Sequence, residues 1–288
     1  MSFCFNFPNP SNDNSADGRN SHTFSHEVLN EECSLVPCEF ISSSDINFKD
    51  VQGINRKKRK FASLEVVYVT QETIANQIEN LDVFSEKTSD LVPGKYEGGL
   101  KVWECSIDLA QYLADNNCIQ ENDYVLELGC GIGLPGLVAY LCGGVVTFQD
   151  FNSEVLKLLT APNVWLNTTE ENQIDILQRC QFLCGDWHDI KEIYYSEDKE
   201  KKLYDVIITS ETIYERNNQR KLLNLMKSAL KPGGVIYLAS KVHYFGVGGG
   251  IADFEELLKE DGTFNFSTVL KTTEGVERRI LKLTRKTS

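Results

Sequence analysis

The sequence predicts an α/β fold, a mostly parallel sheet with helices on both faces, and three observations carry that prediction. Short apolar, β-rich runs alternate with longer runs of helical periodicity from Tyr124 to Ala239, and such alternation implies right-handed crossovers and parallel pairing. One of these strands feeds directly into a glycine-rich turn, Gly129-Cys130-Gly131-Ile132-Gly133, with a helix start at Leu134-Pro135 behind it. Four successive strands end in polar clusters, and open parallel sheets hold their ligands at the carboxyl ends of strands.

Taken in order, residues 1–60 are rich in Ser, Asn and Asp and lack useful periodicity, which reads as a mostly disordered tail. Within it, the basic run Arg56-Lys57-Lys58-Arg59-Lys60 is open to three readings: a nuclear localisation signal, a nucleic-acid contact, or a solvated charge cluster. Residues 61–95 read as an extension packed on the core, with a strand over Leu64–Val69, and residues 96–288 as the main domain. From Trp103 to Leu113, apolar residues at Ile107, Leu109, Ala110 and Leu113 predict an amphipathic helix. Strands and helices then alternate: Tyr124–Leu128, Leu134–Leu141, Val145–Phe148, Val155–Leu166, Cys180–Cys184, Val206–Thr209, Leu222–Leu230, Val235–Ala239. A helix at Ala252–Lys259 and two strands, Phe264–Leu270 and Arg279–Leu283, close the chain, the two strands pairing antiparallel at the sheet edge.

Composition bounds the function. The chain has 288 residues, 41% of them hydrophobic, enough for a large core. It has no run near the roughly 18 apolar residues that cross a bilayer, and its first residues lack a signal-peptide pattern. Nine cysteines without a Cys-x-x-Cys pair argue against a disulfide framework or a zinc ribbon, and no metal site is expected. Cys180 and Cys184 read as reduced, partly buried thiols, placing the protein in the cytoplasm or the nucleus and nucleolus. A net charge of −13 disfavours broad adhesion to nucleic acid and suits a basic protein partner. Neither membrane nor nucleic acid is required, and a monomer is expected.

The cofactor is read from the strand ends. Gly129, Gly131 and Gly133 allow positive φ and close approach of a ligand. In a dinucleotide fingerprint the third glycine falls one residue later, where Leu134 stands, and Glu127 just before the turn suits the ammonium of an amino acid better than a pyrophosphate. Both departures point to an adenosyl amino acid, S-adenosyl-L-methionine. Gln149-Asp150 ends the second strand about 20 residues beyond the glycines, where Asp150 can accept both ribose hydroxyls; Asn152 behind it can also cap the next helix. Gly185-Asp186-Trp187 ends the third strand, with a carboxylate and a ring for the adenine. Ser210-Glu211-Thr212-Ile213-Tyr214 ends the fourth. Trp103 walls the methionine end or is simple core, and Glu104 stands beside it.

The segments Tyr96–Cys105, Gln149–Asn152, Thr209–Tyr214 and Lys241–Gly250, over roughly residues 90–285, resemble the histidine protein methyltransferase family of the seven-β-strand methyltransferases. Phe3-Cys4-Phe5-Asn6-Phe7 is similar to that family's N-terminus. The resemblance implies a Rossmann-like, seven-stranded class I methyltransferase sheet and methyl transfer to a histidine ring nitrogen. It also implies, as protein substrate, a ribosomal large-subunit protein of the uL3 type. Related lysine methyltransferases carry Asp-x-x-Tyr after the fourth strand, where this chain has Glu211-Thr212-Ile213-Tyr214.

On that reading Glu211, Tyr214 and His243 line the acceptor side, with Glu211 accepting the ring N–H. The plainer alternatives are a carboxylate at a helix N-terminus for Glu211 and a structural loop residue for His243. The glycines of Phe245–Gly250 form either a mobile loop over the site or a close backbone contact. Rival functions are a lysine methyltransferase of the same fold, a nicotinamide oxidoreductase, and a non-catalytic S-adenosylmethionine-binding module that escorts a ribosomal protein.

Overall fold

The computed structural model describes residues 37–46, 53–74, 97–168, 178–196, 201–244, 246 and 248–286. Its centre is an eight-stranded sheet in the order β1-β6-β5-β4-β7-β8-β10-β9. Five parallel strands form the middle: β4 (Tyr124–Leu128), β5 (Val145–Asp150), β6 (Cys180–Cys184), β7 (Tyr204–Ser210) and β8 (Leu230–Lys241). Their burial on both faces explains the near-continuous apolar runs that marked them in sequence. β10 (Arg278–Arg285) lies antiparallel between β8 and β9 (Phe264–Thr272), so the chain's last strand is inserted inside the edge, with β9 outermost.

Helices cover both faces. α1 (Glu104–Asp115) buries Leu109, Ala110 and Leu113 of the expected stripe together with Cys105, while Ile107 is only partly buried. α2 (Leu134–Leu141) starts from Gly133 in a left-handed conformation, with Pro135 in its first turn where its missing N–H costs nothing. Ser153–Val155, Leu156–Thr160 and Ala161–Leu166 run together as α3, the middle five residues wound as π-helix. α4 (Trp187–Tyr194), α5 (Arg216–Ala229) and α6 (Ile251–Asp261) complete the layers.

Two strands stand in the segment expected to be an irregular tail, which corrects that expectation for residues 37–46 and 53–60. β1 (Glu39–Phe40) adds antiparallel to β6 as the eighth strand of the sheet. Two exposed residues carry no alternation, so no periodicity could announce it. The basic run forms β2 (Lys57–Phe61), paired antiparallel with β3 (Leu64–Tyr68). Here pairing overrides propensity: Phe61 is fully buried, and the exposed ammoniums of Lys57 and Lys58 meet Glu72 and Glu65 at 2.7 and 2.9 Å. The other edge of β3 is met by two asparagines one turn apart, Asn163 on α3 and Asn167 at its C-cap. Asn167 accepts from Val67 N at 2.9 Å and Asn163 from Val69 N at 2.8 Å, and both return donors to strand carbonyls. Residues 1–36, with Phe3–Phe7, lie outside the described residues, as do residues 75–96.

Candidate active site

The carboxyl ends of β4, β5, β6 and β7 open into one cleft of about 270 Å³, roofed by residues 97–101 and walled by the start of α1 and one side of α5. At its base the turn after β4 carries Gly129, Gly131 and Gly133 at φ values of 62°, 52° and 82°. The turn is clamped from β5: Gly131 N donates to Asp150 Oδ2 at 2.9 Å, Gly129 N to Gln149 Oε1 at 3.1 Å, and Cys130 N to the Gln149 carbonyl at 2.8 Å. A Cβ on Gly131 would lie 2.9 Å from the carbonyl oxygen of Gly99 in the roof, so this glycine is required for close approach as well as for its dihedral.

Asp150 faces the cleft yet is only 4% exposed. Burial pushes its carboxyl up to about 6, against the backbone N–H groups of Asn152, Gly131 and Phe151 that favour the charged form. Gln149 does not line the cleft; its Oε1 also accepts from Trp187 Nε1 at 2.9 Å while its Nε2 donates to Gly185 O at 2.9 Å. It ties the glycine turn to the end of β6, and thereby sets the Trp187 ring in the cleft wall. Asp186 caps α4 through His188 N at 2.8 Å and meets Lys221 of α5 at 3.1 Å.

Ten of the expected residues line the cleft together: Trp103, Gly129, Gly131, Asp150, Gly185, Asp186, Trp187, Ser210, Glu211 and Tyr214. Six do not, and each has a physical reason. Glu127 is 1% exposed and accepts from Gly136 N at 3.0 Å, so it holds the first turn of α2 and does not present a charge to a ligand ammonium. Burial pushes its carboxyl well above the usual range, a trend the Gly136 N–H only partly offsets. Gly133 is the cap of α2, packed against Thr160 and Phe148. Gln149 is the clamp just described, and Asn152 accepts from Glu97 N at 3.3 Å and so fastens the roof. Glu104 lies 3.8 Å from Arg278 and 4.0 Å from Lys241. His243 is exposed, and in its place the next residue, Tyr244, turns inward.

Where the cleft meets the start of α1, Glu211 is 7% exposed and has φ of 58°, a left-handed conformation that is uncommon for such a side chain. Its Oε2 accepts from the Tyr244 hydroxyl, and its Oε1 accepts from Cys105 N at 3.4 Å and lies 3.5 Å from Lys241 Nζ. Tyr214 donates its hydroxyl to Glu97 of the roof. The loop question is answered at two glycines in favour of close packing: a Cβ on Gly249 would stand 2.3 Å from Tyr214 O, and one on Gly250 2.4 Å from Val242 O. Phe245 and Val247 lie outside the described residues. Glu97, Lys221, Lys241 and Tyr244 are functional neighbours that residue-type reasoning missed; Glu97, Lys241 and Tyr244 do fall inside the segments that carry the family resemblance.

The cleft fits S-adenosylmethionine. It offers a buried carboxylate on β5, a second carboxylate and an indole at the end of β6, and Cβ-free backbone at Gly129 and Gly131 where the ligand would cross the turn. With β10 inserted antiparallel between β8 and β9, the sheet order and this cleft define a class I S-adenosylmethionine-dependent methyltransferase.

A family model described as lysine methyltransferase matches residues 90–246, and the chain belongs to that family. Within it the resemblance to the histidine protein methyltransferases is borne out. The chain is 43% identical over 200 residues to a histidine protein methyltransferase 1 homolog of Dictyostelium discoideum, covering 69% of this chain and 61% of that protein. The Bos taurus homolog is 40% identical over 68% of this chain and 57% of its own length. Histidine protein methyltransferase 1 of Schizosaccharomyces pombe is 29% identical over 82% of this chain and 79% of its own. The chain thus spans under two thirds of the first two relatives. Among solved structures it is similar to a TehB-like SAM-dependent methyltransferase from Corynebacterium glutamicum, with a TM-score of 0.45, 15% identity, and coverage of 75% of this chain and 98% of that one.

Proposed function

We propose that the protein transfers a methyl group from S-adenosylmethionine to a ring nitrogen of a protein histidine, on a ribosomal large-subunit protein of the uL3 type. The observation that carries the reaction is Glu211, a carboxylate at the acceptor end of the cleft whose direction is fixed from three sides by Tyr244, Lys241 and Cys105 N. The ribosomal substrate rests on the family resemblance alone.

When bound, the cofactor supplies a methyl already activated on a sulfonium, so the acceptor must chiefly be neutral, close and aligned. Imidazole, with an ordinary pKa of about 6.5, meets the first condition at neutral pH, whereas a lysine near 10.4 must first lose a proton. Glu211 accepts the N–H of one ring nitrogen, which selects the tautomer and leaves the other nitrogen's lone pair facing the cleft. As that nitrogen gains the methyl, the ring becomes cationic, and the N–H proton leaves by way of Glu211 or water to restore a neutral product. Trp103 and Tyr214 wall the acceptor, and the roof residues 97–101 exclude water from the reacting end.

The family description and the relatives' names favour different acceptors, lysine and histidine. Transfer of labelled methyl to ribosomal proteins from cells lacking the enzyme, followed by amino-acid analysis, separates them. Methylhistidine in a large-subunit protein is the expected product; methyllysine, or no transfer with cofactor binding intact, would overturn the reading.

A further inference from the structure

Lys241, the last residue of β8, is 6% exposed, and it sits between two carboxylates, 3.5 Å from Glu211 and 4.0 Å from Glu104. Its ammonium lies 5.5 Å from the centre of the Trp103 ring and 5.6 Å from that of Tyr244, so aromatic faces stabilise it on two further sides. Glu104 is itself shared with Arg278, which also binds Asp108 at 2.6 Å. Lys241 is therefore the cation assigned to Glu211.

We propose that Lys241 is a specificity-determining residue that makes the site prefer a neutral imidazole over a lysine ammonium as acceptor. The inference rests on the histidine reading and explains it. A lysine acceptor enters as a cation and needs an uncommitted carboxylate, both as counter-ion and to receive its proton. Here the Glu211 charge is already balanced by Lys241 and one oxygen is held by Tyr244. A second ammonium would meet one already in place a few ångströms behind the carboxylate, and like charges repel strongly in a partly desolvated setting. An imidazole brings no charge and asks only for one lone pair. A carboxylate has about four acceptor sites, and Tyr244, Cys105 N and Lys241 leave room for that bond. Of the other cleft carboxylates beside Tyr214, Glu97 is engaged by the Tyr214 hydroxyl and Glu215 by the Asn218 amide at 2.9 Å.

The test uses the full chain, S-adenosylmethionine, and synthetic peptides of the methylated segment carrying His, Lys or norleucine at the acceptor position. Lys241→Met should slow histidine methylation and raise the lysine-to-histidine rate ratio by at least about tenfold, while cofactor affinity by calorimetry stays at the wild-type value. Lys241→Arg keeps the charge and should restore the wild-type ratio. A ratio unmoved in Lys241→Met, with histidine turnover and cofactor affinity measurable, overturns the proposal while leaving the histidine assignment standing. Peptide binding to the wild-type protein gives a readout that needs no folded variant. The lysine peptide should bind more weakly than its uncharged norleucine analogue, and tighter binding of lysine overturns the inference. If the wild-type protein methylates lysine and not histidine, both this inference and the proposed function fall together.

Discussion

Lowering the pH from 7.5 to 5 should stabilise the cofactor-free protein at Asp150 and weaken its hold on S-adenosylmethionine, two effects of opposite sign from one carboxyl. Burial raises this group from its ordinary 3.8 to about 6 in the folded protein. The folded state therefore binds the proton more tightly than the unfolded chain. The cost of holding Asp150 charged, about 3 kcal/mol for a shift of this size, is fully present above pH 6 and falls away between 6 and 3.8. At pH 5, protonation recovers about 1 kcal/mol of it. If the ribose hydroxyls of the cofactor bond to Asp150, the same proton removes an acceptor they need, and affinity drops about tenfold over the same interval. Other groups titrate there too, and Asp150→Asn isolates this one: its urea-unfolding free energy should lack the gain of about 1 kcal/mol seen in the wild type. Its cofactor affinity should be low at both pH values, since an amide has one acceptor oxygen and Gly131 N and Asn152 N already claim the two carboxylate oxygens. Calorimetry and urea titration at the two pH values read both effects. An affinity in the wild type that is the same at pH 7.5 and pH 5, or wild-type affinity in Asp150→Asn, would refute the placement of the ribose on this residue.

Gly131→Ala forces a left-handed residue at φ 52° and a Cβ 2.9 Å from Gly99 O, so it should lose about 1–3 kcal/mol of stability and abolish cofactor binding; an unchanged urea midpoint would sink the argument. Glu127→Gln keeps an acceptor for Gly136 N and should change cofactor affinity by less than about threefold, whereas a tenfold loss in calorimetry would reinstate Glu127 as the ammonium partner. Glu211→Asp draws the carboxylate back by about 1.5 Å from Cys105 N and Tyr244, which should lower kcat by about a hundredfold with cofactor affinity unchanged; turnover near wild type would remove Glu211 from the acceptor site.

The parts of this molecule that could be read in the sequence are those where residue type is dictated by chemistry rather than by direction. Gly129, Gly131 and Asp150 were picked out by residue type and spacing, and all three line the cleft. Glu127 could not be read because β4 is buried on both faces: with four buried residues in succession there is no alternation to say which way its carboxylate points. His243 and Tyr244 failed the same way, since the face each presents depends on the register of β8 where it leaves the sheet. β2 was hidden by its charges. Four exposed basic residues look like a tail until Phe61 is seen in the core and β3 beside them.

The left-handed turn at Glu211 accounts for the Glu-x-x-Tyr spacing. Glu211 N still donates to Ala239 O at 3.0 Å, so the β7–β8 ladder runs one residue beyond the strand before the chain reverses. The reversal throws the carboxylate sideways, toward the start of α1 and the end of β8, where Cys105 N, Lys241 and Tyr244 wait. A left-handed glutamate costs roughly 1–2 kcal/mol, and such strain persists only where the surroundings over-determine it. Here they do. Thr209 Oγ1 bonds Leu128 O and Thr212 Oγ1, Ile213 is fully buried with its carbonyl held by Gln219, and Gly249 N binds Tyr214 O at 3.0 Å. The three residues after the turn carry the chain around the cleft mouth, so Tyr214 reaches the roof at Glu97 while Glu211 stays on the α1 wall. The turn thus sets Glu211 and the Tyr214–Glu97 pair apart at the cleft mouth, and the extra methylene of glutamate over aspartate is what lets a carboxylate launched sideways reach Tyr244 and the α1 backbone.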